Sequence, residues 1–434
     1  MDPVVLAGII AVLLFVLLGA GLWVAVSLVA LGVIGLELSG AAPPGAVLGT
    51  TVWGSTTSWT LTALPLFIWM GEILFRTRLS DQMFEGLAPW LGRIPGRLLH
   101  VNVLGCSIFA AVSGSSVATT VTIGKIALPE LAKRGYDERL AIGTLAGSGT
   151  LGLLIPPSII MIVYGVAADV SIVRLFVAGV LPGLMVIGLF MAYVVAAALF
   201  DPARAPRSPE VVPFLEKIWR ARRLIPVLIL IASVLGSIYG GIATATEAAA
   251  IGVLGALVIA ATQRSLTWRT FFDSVIGATR ASCMICFILA ASAFLSVAMD
   301  YAGLSHWVAD AILSMGLSRY ALLAVLTLVF ILLGCFLDGI SIVVLSTSLL
   351  LVAVKQVGID PLWFGIYLVI VVEMSLITPP VGLNLFVLQG MTGRNLIFVS
   401  RAALPFFLLM VVAVALLVAF PGIATYLPGL MFAR

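Results

Sequence analysis

Leu376-Ile377-Thr378-Pro379-Pro380-Val381-Gly382-Leu383-Asn384-Leu385-Phe386, with its counterpart Leu151-Gly152-Leu153-Leu154-Ile155-Pro156-Pro157-Ser158, decides how this chain folds. Both stretches interrupt strongly apolar surroundings. Pro157 and Pro380 lack an amide proton and clash with the turn before them, so a helix that enters either stretch must break there. In a bilayer, broken backbone has to be buried in protein or line a wet cavity, because lipid satisfies neither N–H nor C=O groups.

The composition puts these breaks in a membrane. Of 434 residues 62% are hydrophobic and 10% charged, against roughly 25% charged in soluble domains. So little charge cannot cover a water-facing surface, which excludes a soluble enzyme. High hydrophobicity excludes a disordered chain. Apolar runs of about 20 residues between polar breaks indicate helices, not a transmembrane barrel. The expected fold class is an all-α polytopic membrane protein.

An internal repeat organises the helices. Gly135-Tyr136-Asp137 precedes the first diproline and Gly358-Ile359-Asp360 the second, each Asp standing 19 residues before its first Pro. The two halves are offset by 223 residues, and at that offset Ser113–Ser116 falls opposite Phe336–Gly339. Internal symmetry of this kind marks secondary transporters. Residues 1–200 form the first repeat, with spans near 4–18, 22–39 and 61–76, a re-entrant hairpin near 98–133, a broken helix near 140–168 and a span near 172–200. Residues 201–223 are a basic linker. Residues 224–434 form the second repeat, with spans near 224–240, 244–262 and 281–299, a hairpin near 320–355, a broken helix near 361–390 and a span near 402–420. Five crossings per half, an odd number, predict inverted topology.

Charge agrees with that arrangement. Of the 23 Lys and Arg, only Arg174, Arg319, Lys355 and Arg434 fall opposite the linker; Lys125 lies within a hairpin and the rest share the linker's side, including Arg78 and Arg207. The positive-inside rule then places the linker in the cytoplasm and both termini outside. Gly45–Thr60 and Ser265–Arg280, with Trp53, Trp59 and Trp268, read as matched amphipathic helices along the interface. Cys106, Cys283, Cys286 and Cys335 all lie in apolar segments, so no disulfide framework is expected. Met1-Asp2-Pro3 carries no positive signal region, and Val4–Leu38 reads as two retained spans.

The chemistry concentrates at four breaks: Ser113-Gly114-Ser115-Ser116 with Thr119 and Thr120; Gly147-Ser148-Gly149-Thr150 leading to Pro156-Pro157-Ser158; Asp338-Gly339 with Ser341; and Glu373-Met374-Ser375 leading to Thr378-Pro379-Pro380, Gly382 and Asn384. Freed carbonyls and hydroxyls supply oxygen ligands for a small hard cation such as Na⁺. Half-helix N-termini present amide groups and a positive dipole end to an anion. Asp338 and Glu373 at bilayer depth call for a cation or a hydrogen-bond donor. Glu247 reads as a helix-start acid, and Glu72 stands within a span. There is no GxxxxGK[ST] phosphate loop, HExxH or GxSxG constellation, so neither an ATPase nor covalent catalysis is expected from this chain, nor nucleic-acid binding.

Gly114-Ser115-Ser116-Val117-Ala118-Thr119-Thr120, Gly147–Gly152 running into Ile155-Pro156-Pro157-Ser158, Asp338-Gly339-Ile340-Ser341 and Leu376–Phe386 resemble the DctM-like large membrane subunit of tripartite ATP-independent periplasmic (TRAP) transporters, within the ion transporter superfamily. Thr244-Ala245-Thr246-Glu247-Ala248-Ala249-Ala250 and Gly358-Ile359-Asp360-Pro361 fit as well. The resemblance implies a Na⁺-coupled elevator in the bacterial inner membrane that imports an organic anion, a carboxylate such as a dicarboxylate or sugar acid. It implies a periplasmic substrate-binding protein and a small membrane subunit of about four helices as partners, the latter expected as a separate chain because three residues precede the first span. Carried over, one sodium site would use Ser113, Ser115 and Ser116 with Gly147, Gly149 and Pro156; a second would use Asp338, Gly339, Glu373, Thr378 and Pro379. Substrate would lie near Ser116, Thr150, Ser158 and Asn384. Lys125 departs from the family pattern. A stand-alone Na⁺/anion symporter and a passive anion channel are the alternatives.

Overall fold

The computed structural model describes residues 3–77, 79–206, 213–334, 337–380 and 382–431. Arg78, Arg207, Cys335, Phe336, Val381 and Arg434 lie outside the described residues. Helices account for the fold, and no strand occurs among the described residues. The first half runs α1 (Pro3–Gly19), α2 (Val24–Ser39), α3 (Pro44–Thr56), α4 (Ala63–Phe75), α5 (Leu79–Leu91), α6 (Leu99–Ser113), α7 (Ser116–Lys133), α8 (Glu138–Thr150), α9 (Ile159–Ala168) and α10 (Ile172–Phe200). The linker holds α11 (Phe214–Ala221). The second half follows with α12 (Ile225–Tyr239), α13 (Ala245–Thr262), α14 (Trp268–Tyr301), α15 (Leu304–Ser314), α16 (Arg319–Leu333), α17 (Gly339–Gln356), α18 (Pro361–Ser375), α19 (Leu383–Thr392), α20 (Leu396–Ala419) and α21 (Gly422–Met431).

Displaced by 223 residues, α7 falls on α17 end for end, and α8, α9 and α10 fall on α18, α19 and α20 within a few residues. α1 and α2 fall on α12 and α13 in the same way. Both expected hairpins and both broken helices are therefore present. Six described helices are long and apolar enough to cross a membrane, or seven if the bent pair α3–α4 is one span. That is fewer than the ten crossings read from the sequence. A broken crossing consists of two short pieces, and α1 and α2 have only 17 and 16 residues.

The halves differ in one place. α3 and α4 meet at a 59° bend, whereas the matching residues of the second half form one continuous helix, α14, of 34 residues. Ser265–Arg280 is therefore not a separate interface helix, as the sequence suggested, but the first turns of the span that follows. Residues Gly277–Met284 contain no proline and no cluster of turn formers, so nothing stops the helix. In the first half Gly54-Ser55-Thr56-Thr57-Ser58 gathers residues that favour turns. Thr56 Oγ1 donates to the Val52 carbonyl at 2.7 Å and Thr57 Oγ1 to that of Trp53 at 2.9 Å, a competition with the helix ladder that ends it. α5, α15 and α21 were not expected. Each is too short to cross, and α5 carries Asp81, Glu85 and Pro89.

Packing places the site. α7 lies on α8 of its own half and on α19 of the other; α17 lies on α18 of its own half and on α9 of the other. Each hairpin arm thus bridges both broken helices. At the surface, Arg394 before α20 holds Glu138 of α8 at 2.6 and 2.8 Å. That hydrogen bond keeps the Glu138 carboxyl below its ordinary range. A depressed carboxyl stabilises the fold above its unfolded pKa of about 4.3 and loses that contribution as pH falls through the folded value. The Glu138–Arg394 contribution is therefore expected to vanish in acid, and E138Q to abolish the difference between thermal melts taken near neutrality and in acid that this pair causes. The pair is half exposed, so the effect is small.

Candidate functional site

Hairpin one turns at Gly114, whose φ of 58° closes α6 in the left-handed region that glycine adopts freely. Ser115 then caps α7, its side chain accepting from the Ala118 amide at 3.4 Å. Ser113 Oγ meets Thr119 Oγ1 at 2.9 Å, and Thr119 Oγ1 donates to the Ser115 carbonyl at 2.7 Å. The tip's hydroxyls are thus woven into its own turn. Ser116 points outward to the other half: its hydroxyl and the Asn384 carboxamide lie 2.7 Å (Nδ2) and 2.9 Å (Oδ1) apart. Both side chains are buried.

Hairpin two starts α17 with Asp338 as its cap, accepting from the Ile340 and Ser341 amides at 3.1 and 3.3 Å and from the Ser341 hydroxyl. The tip packs closely. A Cβ on Gly339 would lie 2.8 Å from Val372 and 3.1 Å from Ile160, one residue of each broken helix.

The loop between α8 and α9 joins these features. A Cβ on Gly152 would stand 2.7 Å from the Ser115 carbonyl and 2.9 Å from the Ser116 nitrogen, in hairpin one. Leu153 faces Gly339 of hairpin two. The Leu154 amide approaches the Glu373 carboxylate without reaching hydrogen-bond geometry. Three successive residues therefore meet the first tip, the second tip and the buried acid of α18. Glu373 is fully buried, and neither of its oxygens has a hydrogen-bond partner among the described residues.

The expected ligands divide into those brought together and those turned aside. Ser116, Asn384, Gly149 and Thr120 form one contact: a Cβ on Gly149 would fall 1.9 Å from Thr120 Oγ1 and 3.5 Å from Asn384 Nδ2. Gly147 still lies within α8. Its carbonyl accepts from Thr150 Oγ1 at 2.8 Å and its Cα faces Phe406 of α20, so this carbonyl is not freed. Thr150 is occupied by that bond, and Ser158 caps α9 while donating to the Leu153 carbonyl. The Pro156 and Thr378 carbonyls receive no backbone amide among the described residues, as broken turns require. Thr378 Oγ1 donates to Met374 O at 2.7 Å. Pro379 follows, and both diproline bonds are cis. The donors at the two breaks are all oxygens, which suits a hard monovalent cation. No group of three His, Cys, Asp or Glu side chains gathers among the described residues.

Two buried groups stand out that were given no role from the sequence, Ser148 within the second of the four breaks and Asn102 of α6. Ser148 Oγ is buried with no hydrogen-bond partner among the described residues. Asn102 donates to Thr144 Oγ1 at 2.9 Å while its own Oδ1 has no partner among the described residues. Only the polar character of Asn102 within an apolar run could have drawn attention to it. Other polar residues prove structural. Glu72 pairs with Arg76 at 2.7 Å, and Arg76 also reaches the Asp273 carbonyl at 3.2 Å, tying α4 to α14. Glu247 closes a capping box with Thr244. Lys125 is exposed, consistent with its long stem carrying the charge away from the helix. Cys106, Cys283 and Cys286 are free thiols.

The fold recurs in a solved transporter. Over 89% of this chain and 88% of the other, the fold matches the YdaH transporter of Alcanivorax borkumensis with a TM-score of 0.61 at 15% identity, a likeness of fold alone. Residues 11–423 match the family described as tripartite ATP-independent periplasmic transporter, DctM component. This chain belongs to that family. Among TRAP relatives, the C4-dicarboxylate large permease DctM of Pseudomonas aeruginosa is 33% identical over 88% of this chain and 89% of its own length. The isethionate permease DctMQ of Oleidesulfovibrio alaskensis is 31% identical over 99% of this chain and 67% of its own. The sialic acid permease SiaT of Haemophilus influenzae is 28% identical over 87% and 61%. The chain is thus a multi-pass TRAP large permease of the inner membrane, a transporter component and not an enzyme.

Proposed function

We propose that this large permease imports an organic anion by Na⁺ symport, receiving it from a periplasmic binding protein and working beside a small membrane subunit. The observation that carries the reading is Glu373: a fully buried carboxyl group without a hydrogen-bond partner among the described residues, beside a broken helix whose Thr378 carbonyl takes no backbone amide among those residues. A carboxyl so placed takes up a proton or is compensated by a cation, and the oxygen-rich break beside it favours the cation. Na⁺ held by Glu373, Asp338 and the Thr378–Pro379 segment would supply it, with Gly339 allowing the tip's close approach. A second Na⁺ would sit at the first break, on Ser113, Ser115, Gly149 and Pro156.

Substrate carboxylate is expected between the tips, at Ser116 and Asn384. Each can donate one hydrogen bond to an anion once their mutual bond parts. Thr150 and Ser158 lie at its margin, held by their own backbone. Relatives named for C4-dicarboxylate, isethionate and sialic acid support an anion as cargo. Transport would follow an elevator course, α6–α9 and α16–α19 moving as a unit against the remaining helices, with the linker cytoplasmic and the termini periplasmic.

The test is uptake into proteoliposomes that hold both membrane subunits, with binding protein outside and an imposed Na⁺ gradient. Uptake is expected only with Na⁺ and binding protein together. Equal uptake without the binding protein supports a stand-alone symporter, and unsaturable flux indifferent to Na⁺ supports a channel. D338N is informative here. Asparagine caps helices as well as aspartate does, so folding is expected to survive while the Na⁺ concentration for half-maximal uptake rises about tenfold, the effect of losing one charge-assisted contact. Unchanged Na⁺ activation would remove Asp338 from the cation site.

A further inference from the structure

Two buried hydroxyls join α14 to the hairpin arm α17. Ser292 Oγ lies 3.1 Å from the Val344 carbonyl and against Ser348 Oγ, and Ser348 Oγ lies 2.8 Å from that same carbonyl. Each hydroxyl has one proton to donate, so one of them donates to the carbonyl and the other to its neighbour's oxygen. One turn on, Ser296 Oγ donates to the Ser348 carbonyl at 3.5 Å, the loosest contact of the set. Ser292, Val344 and Ser348 are all buried. Ser292 stands about 18 Å along α14 from Arg280, inside a hydrocarbon core of roughly 30 Å. At that depth a hydroxyl finds its partners in protein.

The chemistry suits a contact that opens. If α17 withdraws, neither hydroxyl is stranded. Ser348 keeps the Val344 carbonyl of its own helix, and Ser292 can turn in the same way to the carbonyl one turn back in α14. Parting therefore costs only the difference between two sets of hydrogen bonds. For a serine bond between membrane helices that difference is worth about threefold in a population. A contact of that size biases a position without fixing it. The first half carries no equivalent. At the 223-residue offset Trp69 stands for Ser292, Val121 for Val344 and Lys125 for Ser348. Trp69 Nε1 donates instead to Ser274 of α14 at 3.1 Å, and Lys125 is exposed. The arm of hairpin two is thus tied to α14 by groups that the arm of hairpin one does not possess.

We propose that Ser292 and Ser348 are positioning residues, a hydroxyl latch that holds the arm of hairpin two against α14 and parts in each transport cycle. The proposal rests on the elevator course given above, in which α17 travels and α14 stays. The latch touches neither ion nor substrate. It acts through the position of hairpin two, whose tip carries Asp338.

The experiment has two arms. The first is S292C/S348C in proteoliposomes that hold both membrane subunits, with binding protein outside. The hydroxyl contact sets the two Cβ atoms within disulfide reach. Oxidation is expected to cross-link α14 to α17 and to abolish uptake, with recovery on reduction, while the native chain oxidised in parallel is unaffected. The second arm places spin labels at the exposed Leu254 of α13 and Leu328 of α16 through a bio-orthogonal handle and reads the distances between them. S292A is expected to shift the population about threefold away from the distance of this structure. S292A/S348A is expected to shift it no further, because without Ser292 the hydroxyl of Ser348 has no bond to α14 left to lose; two cavities acting through packing would add. Absence of a cross-link in S292C/S348C overturns the proposal. Cross-linked permease that transports as fast as its reduced form overturns the latch and the elevator course together. A cross-link that blocks uptake, combined with unchanged distances in S292A or with shifts that add in the double variant, overturns the latch alone and leaves the elevator course standing. Na⁺ dependence of uptake by the reduced permease, read alongside, bears on symport and not on the latch.

Discussion

Gly152→Ala is expected to lower Na⁺-driven uptake roughly ten- to a hundredfold while leaving insertion and folding of the large permease intact. The new methyl would sit 2.7 Å from the Ser115 carbonyl group and 2.9 Å from the Ser116 nitrogen. These are backbone atoms at a helix start, and no rotamer change can move them aside. The loop or the tip must shift, at the cost of about 1–3 kcal/mol typical of overpacking. That cost falls on the closed seating of hairpin one, in which Ser116 meets Asn384, and 1.4 kcal/mol corresponds to about a tenfold change in population. Gly149→Ala provides a graded comparison. Its nearest obstacle is the Thr120 side chain, which can rotate, so a smaller loss is expected, partly relieved by T120A. Gly188→Ala, with nothing within 4 Å of the new methyl, should transport normally. Uptake by G152A equal to that of G188A, at matched amounts in the membrane, would contradict the role given to the tip.

These contrasts also mark what the residues disclosed before the fold was known. The breaks were legible because Pro and clustered Gly and Ser have one physical effect in an apolar run, and because the same effect recurs 223 residues later. α5 and α15 were not, since helices of 13 and 11 residues with interspersed charge read like surface loops. Nor was the continuity of α14. Arg269, Asp273 and Arg280 suggested an interface helix, but polar residues on one exposed face do not interrupt a helix that lacks a breaker. Within the site, residue type identified the segments yet not the direction of each side chain. Ser115, Ser158 and Asp338 all cap helices, a local use the sequence allows as readily as ligation and one that leaves further lone pairs on each oxygen. Ser116 and Asn384, 268 residues apart, could be paired only by the way α7 crosses onto α19.

Glu373→Gln tests the electrostatic claim without the transport assay. The side chain keeps its size, so packing against Val372, Met374 and the Leu154 loop is little disturbed. A carboxylate at bilayer depth without a partner costs roughly 2.5–3.5 kcal/mol or more, and a neutral amide costs less. In K⁺ buffer the variant is therefore expected to melt at a higher temperature than the wild type. Adding Na⁺ should reverse the order of gain: a ligand at a hundred times its Kd stabilises by about 2.7 kcal/mol. The wild type is expected to collect that increment at the second break, and E373Q to forfeit it while keeping the contribution of the first break. Na⁺ uptake should then become less steep in E373Q, because one of two coupled sites no longer discriminates. If E373Q instead melts lower than the wild type in K⁺ and shows the same Na⁺ increment, Glu373 is a structural acid, and the cation at this break must be held by Asp338 and the Thr378 and Pro379 carbonyls alone.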